Sequence, residues 1–137
     1  MAWRLAKSLE TFRSQVNAQY PTRSKVSDGT IGDAKHARSS SDHNPWVKDG
    51  KMGVVTAIDI THDPDSGVDT WLMADRLRVH QDPRIKYVIS NGRIFSSVQS
   101  PWRWRTYTGA NKHSRHIHIS VLPDKAKYDS TEPWKLD

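Results

Sequence analysis

Three histidines, His113, His116 and His118, fall within one short stretch, NKHSRHIHISV, near the C-terminus. Side chains alternate between the two faces of a strand. Over 115–122 this puts His116, His118 and Ser120 on one face and Ile117, Ile119 and Val121 on the other. The apolar face would pack on a core. The two imidazoles would stand about 7 Å apart on the opposite face, close enough for one to ligate a metal and the other to serve as a neighbouring catalytic group. By itself His-x-His reads as a solvated strand face, but a second segment changes the balance. GVVTAIDIT (53–61) is a buried-type strand with Asp59 on the same face as Val55, Ala57 and Thr61. A carboxylate among apolar side chains needs a cation or several hydrogen bonds. Backbone donors would serve, but beside a histidine strand metal ligation is the better explanation. His43 lies in SSSDHNP, a polar cluster closed by the turn-type Asn44-Pro45, and a loop there can aim it at the Asp59 strand. His43, Asp59 and His118 then make a His₂Asp set. Catalytic zinc takes three such protein ligands and leaves a fourth position to water, so the expected cofactor is Zn²⁺.

Other residues are candidates around this set. Arg23 and Arg38 flank the loop carrying His43, and a guanidinium there can bind a substrate carboxylate or a tetrahedral oxyanion. Each also reads as an ordinary structural or surface arginine. Ser41 and Asp33 are candidates for orienting His43 or His36. His36 is itself a less favoured ligand because of its position relative to the motif. His62 follows Asp59 by three residues and reads as a capping or surface group.

The elements that must position these residues follow from periodicity. Leu5, Leu9, Phe12, Val16 and Tyr20 form one helical stripe, ended by Pro21, and predict a helix over 2–19. Residues 21–53 are polar and aperiodic. A stretch so long in a compact domain is functional or disordered, and GDAKHARSSSDHNPW is too particular for a linker. GVDTWLMADRLRVHQD (67–82) predicts a helix with Trp71, Ala74 and Leu77 along one side and Leu72 and Val79 beside them. IKYVIS-NG-RIFSS predicts a hairpin with Asn91-Gly92 in a type I′ turn. In PWRWRTYTG (101–109), Trp102 and Trp104 share a strand face opposite Arg103 and Arg105. They line either a groove for an anionic polymer or, the preferred reading, the core side of a strand. The segment after Pro123 reads as loop. The whole predicts an α+β fold, a small antiparallel sheet with packed helices. The chain is read as one domain over 1–137, with an N-terminal helix (1–20), a catalytic core (21–122) and a C-terminal tail (123–137).

The 137 residues contain no cysteine, which excludes disulfides, thiolate metal sites and cysteine nucleophiles and leaves the compartment open. Hydrophobic residues are 35% and the mean hydropathy is −0.77, so the core is modest. No run approaches the roughly 18 apolar residues of a membrane span. The N-terminal MAWRLAKSLETF is amphipathic, carries Glu10 and lacks a signal-peptide apolar region. The net charge of +6 favours polyanionic partners such as nucleic acid, anionic lipid or an acidic wall polymer. It also serves solubility alone.

The ordered set Ser41-Asp42-His43, Ala57-Ile58-Asp59 and His116-Ile117-His118 resembles the zinc peptidases of the LAS type. These comprise D-Ala-D-Ala carboxypeptidases, murein endopeptidases and the hedgehog signalling domain. The spacing of His113, His116 and His118 is similar to that of the penicillin-insensitive murein endopeptidases. SDGTIGDAKHARSSSDHNP, followed by AIDITHDP and RHIHISV, resembles small lysin-like proteins of phage and prophage genomes. The matches extend over residues 23–121.

The resemblance implies a hedgehog/DD-peptidase-like zinc fold with His43, Asp59 and His118 as ligands. The chain departs from it twice. The interval from His43 to Asp59 is long, with WVKDGKMG (46–53) read as an inserted loop. Arg115 and His116 also stand where the vancomycin-resistance dipeptidases carry Glu-x-x-His, so the base is not that glutamate. His116 is then the expected base or transition-state stabiliser, assisted by His113, both with unperturbed pKa values near 6.5.

The expected function is a zinc-dependent peptidoglycan peptidase of the phage or prophage endolysin type, an endopeptidase rather than a carboxypeptidase. It would be a monomer acting on peptidoglycan peptides, with no nucleic-acid partner and no membrane span. It would be made in the host cytoplasm without a signal peptide and act at the cell wall or periplasm. Two other classes remain: a metal-dependent nuclease, to which DHN and the basic charge point, and a catalytically inactive wall-binding or virion domain.

Overall fold

The molecule, described by a computed structural model over residues 2–31 and 41–137, begins with a strand rather than the expected helix. β1 (Trp3–Leu5) pairs in parallel with β3 (Met52–Val55), Trp3 opposite Gly53 and Leu5 opposite Val55. Helix α1 (Lys7–Gln19) starts only then and buries Leu9, Phe12 and Val16. Leu5 fits the helical stripe by spacing, but a distant strand satisfies its backbone instead.

The segment WVKDGKMG, expected as a loop, instead forms most of a hairpin. β2 (Val47–Asp49) runs antiparallel to β3, with Gly50 in the left-handed region at φ 60°. β1, β3 and β2, in that order, make a small three-stranded sheet. The segment expected as one strand over 53–61 divides at Thr56. β3 belongs to the small sheet, whereas β4 (Ala57–Thr61) enters a second sheet.

That second sheet is antiparallel throughout, in the order β4, β8 (His116–Val121), β5 (Ile85–Ser90), β6 (Arg93–Ser96), β7 (Arg105–Thr106). β8 lies between β4 and β5. Its apolar face is in the core as the alternation requires, with Ile117, Ile119 and Val121 fully buried, each contributing about 1.5–3 kcal/mol. A one-residue slip would turn all three outward, so the register is strongly held. It sets Asp59 opposite His118 and Thr61 opposite His116. The β5–β6 turn matches its sequence signature, with Asn91 at φ 48° and Gly92 at φ 78°.

Helix α2 (Thr70–His80) is capped by Asp69, whose carboxylate accepts from the Trp71 and Leu72 amides. It packs through Met73, Ala74 and Leu77. Trp71, expected on that side, instead lies at the surface, stacked on His62 at 4.8 Å. The Trp102–Trp104 segment is a turn, with Trp102 at φ 63°, and becomes a strand only at Arg105. Both tryptophans pack against Phe95, the core-side arrangement reached through a different backbone. The tail is not simply loop. It forms α3 (Lys125–Tyr128) and buries Tyr128 and Trp134, whose indole N–H donates to the Ser8 carbonyl. The fold is α+β, with one apolar cluster joining both sheets, α1 and α2. Among the described residues no helix is long and apolar enough to cross a membrane.

Candidate metal centre

β4 and β8 bring Asp59 and His118 together by cross-strand pairing. The His118 Nδ1 lies 3.2 Å from Asp59 Oδ1. His43 arrives from the preceding loop, its Nε2 3.2 Å from His118 Nδ1 and 3.3 Å from Asp59 Oδ2. Three donor groups from separate segments thus close on one another, with Asp59 meeting His118 through Oδ1 and His43 through Oδ2. An ion with bonds of about 2.05 Å in tetrahedral geometry has ligand–ligand edges of about 3.3 Å, so each of these three separations matches such an edge.

The outer nitrogens of both imidazoles are engaged, which fixes the inner ones. His43 Nδ1–H donates to the Thr30 carbonyl at 2.7 Å, leaving Nε2 toward the centre. His118 Nε2 is hydrogen-bonded to Ser120 Oγ at 2.8 Å, leaving Nδ1 inward. Such outer partners fix the ring orientation of metal-ligating histidines. Thr30 is held in turn by its neighbour. Gly29 exchanges both backbone hydrogen bonds with Asp59, at 3.1 and 2.8 Å, extending the free edge of β4. A Cβ at Gly29 would sit 3.4 Å from Asp59 Oδ2, so the glycine backbone lies directly over the carboxylate.

The residue before His43 anchors its loop. Asp42 is buried and accepts from Trp46 Nε1 and from Lys86 Nζ on β5. Its own carbonyl accepts from the Thr56 amide. Ser41, expected to orient His43, does so through the backbone: its Oγ accepts from the His43 amide at 3.2 Å. Tyr87 stacks on His118 at 5.3 Å, with its phenol pushed up to about 12, chiefly by burial. Sequence reasoning missed Thr30, Asp42, Lys86 and Tyr87. The only local signal among them is Asp42, adjoining His43 in a polar cluster.

His116 and His113 stand on the other side of Asp59. His116 Nε2 is 3.6 Å from Asp59 Oδ2, and the two rings meet edge to face at 4.8 Å. His113 takes the left-handed conformation, φ 56°, which is uncommon for a non-glycine residue. The β5–β6 turn holds it there: the Asn91 amide donates to the His113 carbonyl and the Gly92 amide to the Lys112 carbonyl. Asn111 Oδ1 accepts from the His113 amide. A turn legible as a hairpin signal therefore also clamps a site histidine.

The electrostatics follow from this crowding. Burial alone would raise the Asp59 carboxyl, but hydrogen bonds and charge from His118 and His43 outweigh it and hold it well below the usual carboxylate range. Burial pulls His43 down, yet Asp59 outweighs it and the net direction is up. Burial, helped by the neighbouring His118 and His116, pushes His113 down to about 4. Burial also lowers His116, against the attraction of Asp59. Both are neutral at pH 7 and able to accept a proton.

Arg23 does not reach this centre. Its buried guanidinium donates to Asn17 Oδ1 and, through two nitrogens, to Asp28. Asp28 in turn accepts from the Thr61 amide and hydroxyl, so Arg23 braces the end of β4 with its donors committed. His62 accepts from the Thr70 amide and thus caps α2. The expectations placed on Asp33, His36 and Arg38 lie outside the described residues. Two groups, His43–Asp59–His118 and Asp59–His113–His116, are positioned to hold a metal ion. Comparison of the chain with protein-family models, curated proteins and solved structures finds no match.

Proposed function

We propose that the chain is a zinc-dependent peptidoglycan peptidase of the phage or prophage endolysin type, with a hedgehog/DD-peptidase-like fold. The observation that carries this reading is the convergence of His43, Asp59 and His118, with separations of 3.2–3.3 Å and both outer imidazole nitrogens hydrogen-bonded. The donor set, two nitrogens and one carboxylate with no thiolate, suits catalytic zinc, which keeps one position open. Zinc at this place supplies Lewis acidity toward a carbonyl and a water with pKa lowered to about 7.

The chain's own residues supply the proton transfers. His116, neutral and facing the centre from β8, takes the proton of the attacking water at an imidazole nitrogen and returns it to the leaving amine. His113, clamped by the β5–β6 turn, packs against the His116 ring and assists by orienting it. The substrate is a stem peptide or cross-bridge, cut internally by a monomer. The protein is made in the host cytoplasm and acts at the wall, drawn there by its +6 charge in a manner that salt weakens.

The test is digestion of purified peptidoglycan with and without a chelator, with fragments weighed by mass spectrometry. Chelator-sensitive release of amino groups without reducing sugars is expected. Reducing sugars would mean glycan cleavage and overturn the peptidase reading. Bound zinc without hydrolysis would make the chain an inactive wall-binding domain. Plasmid nicking with Mg²⁺ or Mn²⁺ but not Zn²⁺ would make it a nuclease.

A further inference from the structure

His113 carries an anomaly that the proton-transfer scheme leaves unexplained. The residue is 9% exposed, and among the described residues its Nδ1 is buried without a hydrogen-bond partner. A buried unsatisfied polar atom costs roughly 1–3 kcal/mol. The left-handed backbone at His113 adds a further cost, and three hydrogen bonds from Asn91, Gly92 and Asn111 are spent on keeping the segment in place. The imidazole they hold is one corner of a second ligand group. One donor atom each from Asp59, His113 and His116 lies within 4.8 Å of the others.

Asp59 can serve both groups because one of its oxygens lies between them. Oδ2 lies 3.3 Å from His43 Nε2 and 3.6 Å from His116 Nε2, while Oδ1 faces His118 at 3.2 Å. A carboxylate used in this way bridges paired metal ions, which stand about 3.5–4 Å apart in two-metal sites. We propose that Asp59, His113 and His116 form a second, weaker cation subsite that shares Asp59 with the first and, when filled, suppresses hydrolysis.

The weakness follows from geometry. The first group has separations of 3.2–3.3 Å and a hydrogen-bonded outer nitrogen on each imidazole. The second is wider, His116 Nε2 standing 3.6 Å from Asp59 Oδ2, and among the described residues no hydrogen bond holds a ring nitrogen of His113 or His116 from outside. Outer partners are worth roughly 10–100-fold in metal affinity, so the second ion binds weaker by about that factor. Suppression follows from chemistry. A cation on His116 occupies the lone pair that would otherwise accept the proton. This regulatory half rests on the peptidase reading, whereas the binding half does not.

The experiment titrates the chelator-stripped full chain with Zn²⁺ in a calorimeter and counts bound ions by mass spectrometry of the intact complex, without substrate. A tight first equivalent and a second, roughly 10–100-fold weaker, are expected. His113→Asn and His116→Asn, made separately, should each take up the first alone. The wild-type count needs no variant, and two independent variants guard against one that misfolds. A wild-type protein that saturates at a single equivalent, or a second equivalent that persists in both variants, overturns the subsite. In a parallel assay on peptidoglycan, hydrolysis should fall by roughly 10²–10⁴ as the second equivalent fills, the worth of a proton-transfer group. Hydrolysis that holds steady or rises overturns the regulatory half. Absence of hydrolysis at every zinc level overturns that half together with the peptidase reading, while the ion count still decides the subsite.

Discussion

Two carboxylates near β4 are almost equally shielded, with side-chain exposures of 20% for Asp28 and 17% for Asp59. Both are held below the usual carboxylate range against the opposing effect of burial, Asp28 by Arg23 and Thr61 and Asp59 by His118 and His43. Their partners differ in kind. Arg23 keeps its charge at any pH a protein meets, so Asp28 is permanently neutralised and bound on both oxygens. Asp42 with Lys86, and Asp129 with Arg4, follow the same pattern. Among the described residues Asp59 faces imidazoles alone. An imidazole gives up its proton near neutral pH and then offers a lone pair. The countercharge at Asp28 is covalently part of the chain, whereas at Asp59 it is exchangeable for a cation. That difference separates a structural brace from a candidate site, at equal burial.

Substitutions at the two carboxylates' partners should therefore have opposite signatures. The largest effect is expected from His118→Ala, which removes one of the three groups. Elemental analysis should find the metal lost, with hydrolysis at the level of a chelated control. Full metal retention would take His118 out of the centre. His116→Ala should keep the tight metal and lose roughly 10²–10⁴ in turnover, and near-wild-type rates would assign the base elsewhere.

Arg23→Ala attacks the brace. It strands Asp28 without its cation, so urea unfolding should report a loss of roughly 3–5 kcal/mol, with the metal count per folded chain unchanged. Metal loss at little cost in stability would erase the contrast drawn above. The smallest effect concerns pH in the metal-free protein. His113 is pushed down to about 4 when folded, against 6.5 for the free side chain. Between those values the unfolded chain binds more protons, so stability falls as pH drops through this window, by at most about 3 kcal/mol. His113→Asn should flatten that slope relative to wild type, and an unchanged slope would show that the imidazole does not titrate as its burial requires.

What was legible in the sequence is whatever local sterics decide. Alternation on β8 is a property of extended backbone, so the buried Ile117–Ile119–Val121 face and the opposite His116–His118–Ser120 face were readable residue by residue. Asn91-Gly92 announced its turn because positive φ is affordable there. The His43, Asp59 and His118 set was readable as a list, since an aspartate in an apolar strand and clustered histidines are chemically conspicuous. Whether three such residues converge is a matter of pairing between distant segments. Only the β4–β8 register sets Asp59 opposite His118, and only the Gly29 bridge brings the Thr30 carbonyl to His43. Leu5 left its helical stripe because β3 offered hydrogen bonds that spacing cannot reveal, and residues 53–61 divided between two sheets for the same reason. Arg23 was ambiguous in the sequence because any carboxylate suits a guanidinium. The tertiary structure chose Asp28, five residues away, over a substrate. The conformation of His113 was the least legible feature of all: Asn111, two residues before, accepts from its amide, but the carbonyl side is held by two amide groups of a turn some twenty residues earlier.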